Sequence, residues 1–142
     1  MKQATAFAPM LTIRNGVYDI DFYKNAFGAV ELMRLNNDDG SVHVAEFMID
    51  DAMFHLHEIY PPDAKYIPEK HSGVITLGLM TADVHGIFNQ AIAAGATVIS
   101  PVEDYEYGYR QGTLEDIFGH QWLIECRIPA SPDWKEAVSK VK

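Results

Sequence analysis

Two periods of apolar residues run along the chain and divide it into the same succession of elements twice. Phe7 to Ile13 mixes apolar and β-branched residues, reads as a strand, and stops at the turn-forming pair Asn15-Gly16. In Val17 to Phe27, the residues Ile20, Tyr23, Ala26 and Phe27 fall at helical spacing, and Gly28 suits a helix exit. Three strands follow, Val30–Leu35, Val42–Ile49 and Ala52–Glu58, separated by Asn36-Asn37-Asp38-Asp39-Gly40 and by Asp50-Asp51. Tyr60 to Ser72 carries Pro61, Pro62 and Pro68 among charged neighbours and predicts a linker. Beyond it the order returns: strand Val74–Met80, helix Val84–Ala94 stopped by Gly95, strand Thr97–Ser100, and an acidic, tyrosine-rich loop Pro101–Tyr107. A hairpin closes the series, with arms Arg110–Glu115 and Gln121–Cys126 around the turn Asp116–Gly119. Alternation in its second arm puts Trp122 and Ile124 on an apolar face and Gln121, Leu123 and Glu125 on a mixed one.

The recurrence has a fixed spacing. Gly28-Ala29 returns as Gly95-Ala96, an offset of 67 that also pairs Ile20 with Ile87, Ala26 with Ala93, Leu56 with Leu123 and Glu58 with Glu125. In 142 residues only two copies fit, which predicts two βαβββ modules, residues 1–60 and 73–128, joined by a linker over 61–72. The fold class is therefore α+β. Residues 129–142 read as a tail that holds a short helix, with Ser131 as N-cap and Pro132 at its first position.

The closing hairpin also carries a motif. Gly108-Tyr109-Arg110-Gln111-Gly112, then Asp116-Ile117-Phe118-Gly119-His120 and Trp122, resembles a signature of the vicinal-oxygen-chelate superfamily of glyoxalases, bleomycin-resistance proteins and extradiol dioxygenases. Within it the chain is most similar to the PhnB-like branch, whose hairpin turn reads Asp-Pro-Phe-Gly-His; Ile117 stands here in place of the proline. Phe22-Tyr23 and Ala26-Phe27-Gly28-Ala29 resemble that branch's first helix and its exit, so the likeness spans residues 7 to 127. It implies that the paired modules form a curved, mostly antiparallel sheet around a cavity, with helices outside, and that the protein works as a homodimer. It also implies where a metal would sit: on the first, fourth, fifth and eighth strands, near Ala8, His55, Thr76 and Leu123, with the repeat offset placing Leu56 rather than His55. Only His55 is a competent ligand, so the resemblance implies no glyoxalase-type metal and no enediolate held on one.

Charge and composition narrow the partners. A net charge of −9 disfavours nucleic acid and anionic membrane, since both repel a negative surface. With 48% hydrophobic and 22% charged residues the chain reads as an ordinary globular protein. Its one cysteine, Cys126, rules out an intrachain disulfide and reads as a buried thiol in a strand. The first residues lack the apolar run of a signal peptide, and no stretch reaches membrane-spanning length, so a cytoplasmic location is expected.

Candidate chemistry is sparse. His55 and His57, two apart on a strand, share a face, and with a carboxylate such as Glu46 or Glu125 they could hold a divalent ion such as Zn, Ni, Mn or Fe. That arrangement defines one reading, a metal-dependent lyase, isomerase or dioxygenase. The other, which the missing ligands favour, is a small-molecule-binding protein without a metal or other cofactor. Its candidate contacts are Arg110 as a two-point clamp for an anion, Gln121 and Leu123 as a wall, and Tyr107 and Tyr109, beside Tyr105, as an aromatic mouth, together with His55 and His57. His120 reads as a structural residue of the hairpin. No serine–histidine–aspartate order, phosphate loop or CxxC pattern is present in the sequence.

Overall fold

The computed structural model describes residues 5–59 and 75–133. The expected linker over 61–72 lies outside the described residues, as does the tail beyond residue 133. The described residues form two compact units, one on each side of residues 60–74.

The first unit runs β1 (Met10–Ile13), α1 (Phe22–Phe27), β2 (Val30–Asn36), β3 (Val42–Ile49) and β4 (Ala52–Glu58). Its sheet has the order β1-β4-β3-β2, with β1 parallel to β4 and the other pairs antiparallel. The second unit runs β5 (Thr76–Met80), α2 (Val84–Ala93), β6 (Thr97–Tyr105), β7 (Tyr109–Glu115) and β8 (Gln121–Arg127). Its sheet, β5-β8-β7-β6, repeats the same pattern of one parallel and two antiparallel pairs. These are the two βαβββ modules that the periodicity predicts.

Each sheet buries one face under its helix. In the first, Phe22, Tyr23, Ala26 and Phe27 of α1 are buried, and the Tyr23 ring meets Phe47 and Phe54 with centroids 5.7 and 5.1 Å apart. Leu11, Ile13, Ala45 and Leu56 are buried too, at alternate positions of their strands. In the second, Val84, Phe88 and Ala91 of α2 are buried, with Leu114, Trp122 and Ile124 of the sheet. A Cβ at Gly112 would stand 2.8 Å from Phe88 Cε2 and 2.9 Å from Val102 Cγ2. Glycine there lets helix and sheet close on each other. Each large apolar side chain so buried contributes on the order of 1.5–3 kcal/mol.

Four expectations are corrected. The first helix begins at Phe22, not Val17, because the Asp19 carboxylate accepts the backbone N–H of Asp21 at 2.9 Å and holds the preceding segment in a turn. Val17 and Ile20 are nonetheless buried. Residues Pro101 to Tyr105 are strand rather than loop: β6 lies at a sheet edge, where register shifts around Pro101 spare its missing N–H. Cys126 is half-buried, not buried, near the end of β8. The offset of 67 holds at the helix exits, where Gly28 and Gly95 both have positive φ, but slips by one in the sheets. Leu56 is fully buried while Leu123 lies on the opposite, open face, and the buried counterpart of Leu56 is Trp122. A one-residue slip exchanges the faces of a strand.

Candidate functional site

The face of each sheet turned away from its helix is where the candidate residues gather. In the first unit the strand registers order that face into three rows. Val30, Met48 and Met53 make one row. Met33, Glu46, His55 and Met10 make the next. Leu35, Val44, His57 and Thr12 make the third. The floor is soft and apolar, four methionines and three aliphatic residues, of which Met10, Val30 and Leu35 are more than half exposed.

Glu46 and His55 form the polar centre. His55 Nδ1 stands 3.6 Å from Glu46 Oε1, with both side chains about one-third exposed or less, at 27% and 31%. His57 shares their face, and its Nδ1 lies 2.6 Å from its neighbour's carbonyl, Glu58 O. Its ring also meets His43 edge-on, with centroids 4.9 Å apart. The histidine pair is thus on one face, as the spacing predicts, and Glu46 stands beside it across the β3–β4 ladder. Glu125 belongs to the second unit. Among the described residues no three His, Cys, Asp or Glu side chains are grouped to hold a metal ion.

A polar cluster that the sequence reading missed sits at the end of β4. The Glu58 carboxylate is buried and accepts Asn15 Nδ2 at 2.8 Å, Asn37 Nδ2 at 3.0 Å and a contact from His43 Nδ1 at 2.9 Å. The Asn15 amide, followed by His43, holds its carboxyl below the usual range. Every donor it meets stabilises the charged form, and together they tie the loop after β1 and the β2–β3 loop to β4. The signal was available: Phe54, Leu56 and Glu58 alternate onto one face, so Glu58 had to be buried with the two apolar residues.

In the second unit the open face is polar. Its rows read Met80, Glu125, Gln111, Glu103, then Gly78, Leu123, Thr113, Ser100, then Thr76, Gln121, Glu115, Thr97. Tyr109 and Tyr105 continue it at one end. Tyr105 and Tyr107 stack at 5.2 Å, and Gln111 Nε2 donates to the Tyr107 hydroxyl at 2.7 Å. The structure thus brings Gln121, Leu123, Glu125 and Tyr109 to one face, with Tyr107 in the adjoining turn. Arg110 is not with them. It points to the opposite face of β7, where its Nε and a terminal nitrogen donate to the two carboxylate oxygens of Asp104 at 2.7 and 3.1 Å. The carboxylate it was expected to clamp in a ligand is supplied by the protein.

His120 serves the hairpin through its backbone. Its N–H and that of Phe118 donate to Asp116 Oδ1, at 3.0 and 2.8 Å, while Trp122 Nε1 donates to Asp116 Oδ2 at 2.9 Å. The Asp-Ile-Phe-Gly-His motif is therefore a carboxylate-centred turn, with Gly119 at positive φ.

Comparison with known proteins agrees with this architecture. Residues 18–124 match the family model described as Glyoxalase/Bleomycin resistance protein/Dioxygenase superfamily. An uncharacterized protein of Mycobacterium tuberculosis is 36% identical over 123 residues, covering 84% of this chain and 72% of its own. The crystal structure of an Arabidopsis thaliana gene product shares 27% identity at a TM-score of 0.65, over 86% of this chain and 98% of that one. A mutant of the fosfomycin resistance protein FosX of Listeria monocytogenes, complexed with Mn(II) and a dihydroxypropylphosphonic acid, matches 97% of this chain and 99% of its own at 16% identity and a TM-score of 0.59, a likeness of fold. Among the described residues no helix is long and apolar enough to cross a membrane.

Proposed function

The chain belongs to the glyoxalase/bleomycin resistance protein/dioxygenase superfamily, and from that premise we propose that it binds a small molecule against the open face of its first sheet, without a glyoxalase-type metal. The observation that carries this reading is the three-row apolar floor with a single acidic side chain at its centre. Small-molecule sites pair that composition with a few placed polar groups. The donor set supports the same reading, since of the four positions the family resemblance implies, Ala8, Thr76 and Leu123 carry no imidazole or carboxylate. The turn Asp116 to His120 supports assignment to the PhnB-like branch, and a cytoplasmic homodimer is the form we propose for the protein.

A second reading has one specific observation in its favour. His55, His57 and Glu46 share a face; two imidazoles and a carboxylate are the residue types of a catalytic divalent site in which water takes the open position, although the three would have to converge further than they do here. FosX, of similar fold, was solved with Mn(II). Protein purified without chelator or affinity tag, assayed for metal and then for thermal shift with nickel, zinc, manganese and iron(II), separates the two. The binding reading expects substoichiometric metal and no rise in melting temperature, because a ligand of the folded state must stabilise it. Stoichiometric metal, with stabilisation that a His55→Ala variant loses, would give the site to metal chemistry.

A further inference from the structure

We infer that the ligand of the first sheet's open face is an apolar molecule bearing one hydrogen-bonding cation, of the primary ammonium class, which docks on Glu46. The inference rests on the proposed binding face and names the chemistry that face selects.

Glu46 is the only carboxylate in the three rows, and its neighbours on β2, β4 and along its own strand are Met33, Val44, Met48 and the His55 ring. Its oxygens accept no hydrogen bond among the described residues. His55 Nδ1, at 3.6 Å, is beyond hydrogen-bonding distance. The arginine of β2 cannot neutralise it. Arg34 pairs with Ala45, whose side chain is buried on the other face, and its guanidinium donates to Glu31. No lysine or arginine stands in any of the three rows. Glu58, one strand away, shows the contrast: its carboxylate is filled by two amides and an imidazole. Glu46 is therefore a half-buried anion with open acceptor sites inside an apolar frame. A neutral apolar ligand would cover it and leave it unpaired, at a cost; an anionic one would also be repelled. An ammonium on an apolar body satisfies both the floor and its centre. Charge complementarity thus chooses the occupant.

Three probes with one tail test this on the full chain: n-octylammonium, 1-octanol and octanoate, titrated at constant ionic strength and followed by amide NMR shifts. Octylammonium is expected to shift residues 30–57 and to bind at least tenfold tighter than 1-octanol, with octanoate weakest. In Glu46→Gln, which keeps size and shape, octylammonium falls to the affinity of 1-octanol, while 1-octanol is not weakened. Equal affinity of octylammonium and 1-octanol in the natural chain, or a preference that survives Glu46→Gln, overturns the inference but leaves the binding face in place. Failure of all three probes overturns both. If Met48→Asp then also turns a dimer into a monomer, the face belongs to a second copy of the chain.

Discussion

The two modules share a topology and differ in what they leave open. Both pair their first strand in parallel with their last, and both bury one face under a helix. On the other face the first presents methionine, valine and leucine around Glu46 and His55, while the second presents threonine, glutamine and glutamate with tyrosines at one end. Among the described residues each also contains one buried, fully engaged carboxylate. Glu58 draws its donors from positions 15 to 43 residues away, including two turns. Asp116 draws its own from within six residues. The buried face answers to the fold and so repeats; the open face carries no such constraint from its helix and is free to diverge.

The largest effect tests the slipped register. The offset of 67 makes Leu56 and Leu123 equivalent, and the sheets make them opposites, with Leu56 fully buried. Leu56→Ala is expected to cost about 2–5 kcal/mol, transfer loss plus cavity, and Leu123→Ala about 1 kcal/mol or less. Urea unfolding of the two variants reads the difference directly. Equal losses would restore the sequence offset and put the open face of the second sheet in doubt.

A smaller effect separates the two carboxylate hubs. Glu58→Gln should cost about 1–3 kcal/mol, because the amide that replaces a carboxylate oxygen faces the amides of Asn15 or Asn37 without an acceptor between them. Its pH dependence has a definite sign. Folding lowers the Glu58 carboxyl from its usual 4.5, so the stabilisation is fully present above that value and is lost as pH falls through the lower folded one. Natural chain and variant should therefore begin to converge in stability as pH falls below about 4.5, and go on converging toward the lower folded value, in urea melts taken from pH 6 downward. A gap that stays constant to pH 3 would remove the charged form of Glu58 from the account.

What could be read in advance follows the same division. Strand alternation and helical spacing located most of the elements closely, because the buried face imposes a period on the chain. Helix α1 was begun five residues early, at Val17, since Val17 and Ile20 are buried without being helical. Strand β6 was cut short at Pro101, since proline's usual meaning is a break and only its edge position makes it a strand residue. The His55–His57 pair was legible from a spacing of two. Glu46 was one of two carboxylates named beside them, with Glu125; which of the two stands there follows from the β3–β4 register, which the short turn between those strands sets. Arg110 was misjudged for the same reason: its partner Asp104 sits opposite it on a strand that the sequence showed as loop.

The smallest effect concerns that arginine. If Arg110 clamped an anionic ligand, Arg110→Ala would abolish binding and leave stability alone. The structure points the other way, since the guanidinium is turned from the open face and held by Asp104, whose side chain is more than half exposed. An exposed pair gains little over its solvated partners and is screened by salt. Arg110→Ala is therefore expected to change the melting midpoint slightly, and less at 0.5 M salt than at low salt, with probe binding to residues 30–57 unaltered. The arginine motif would then be a brace for the β6–β7 edge rather than an anion clamp. Loss of binding in that variant would instead return Arg110 to the contacts of the ligand.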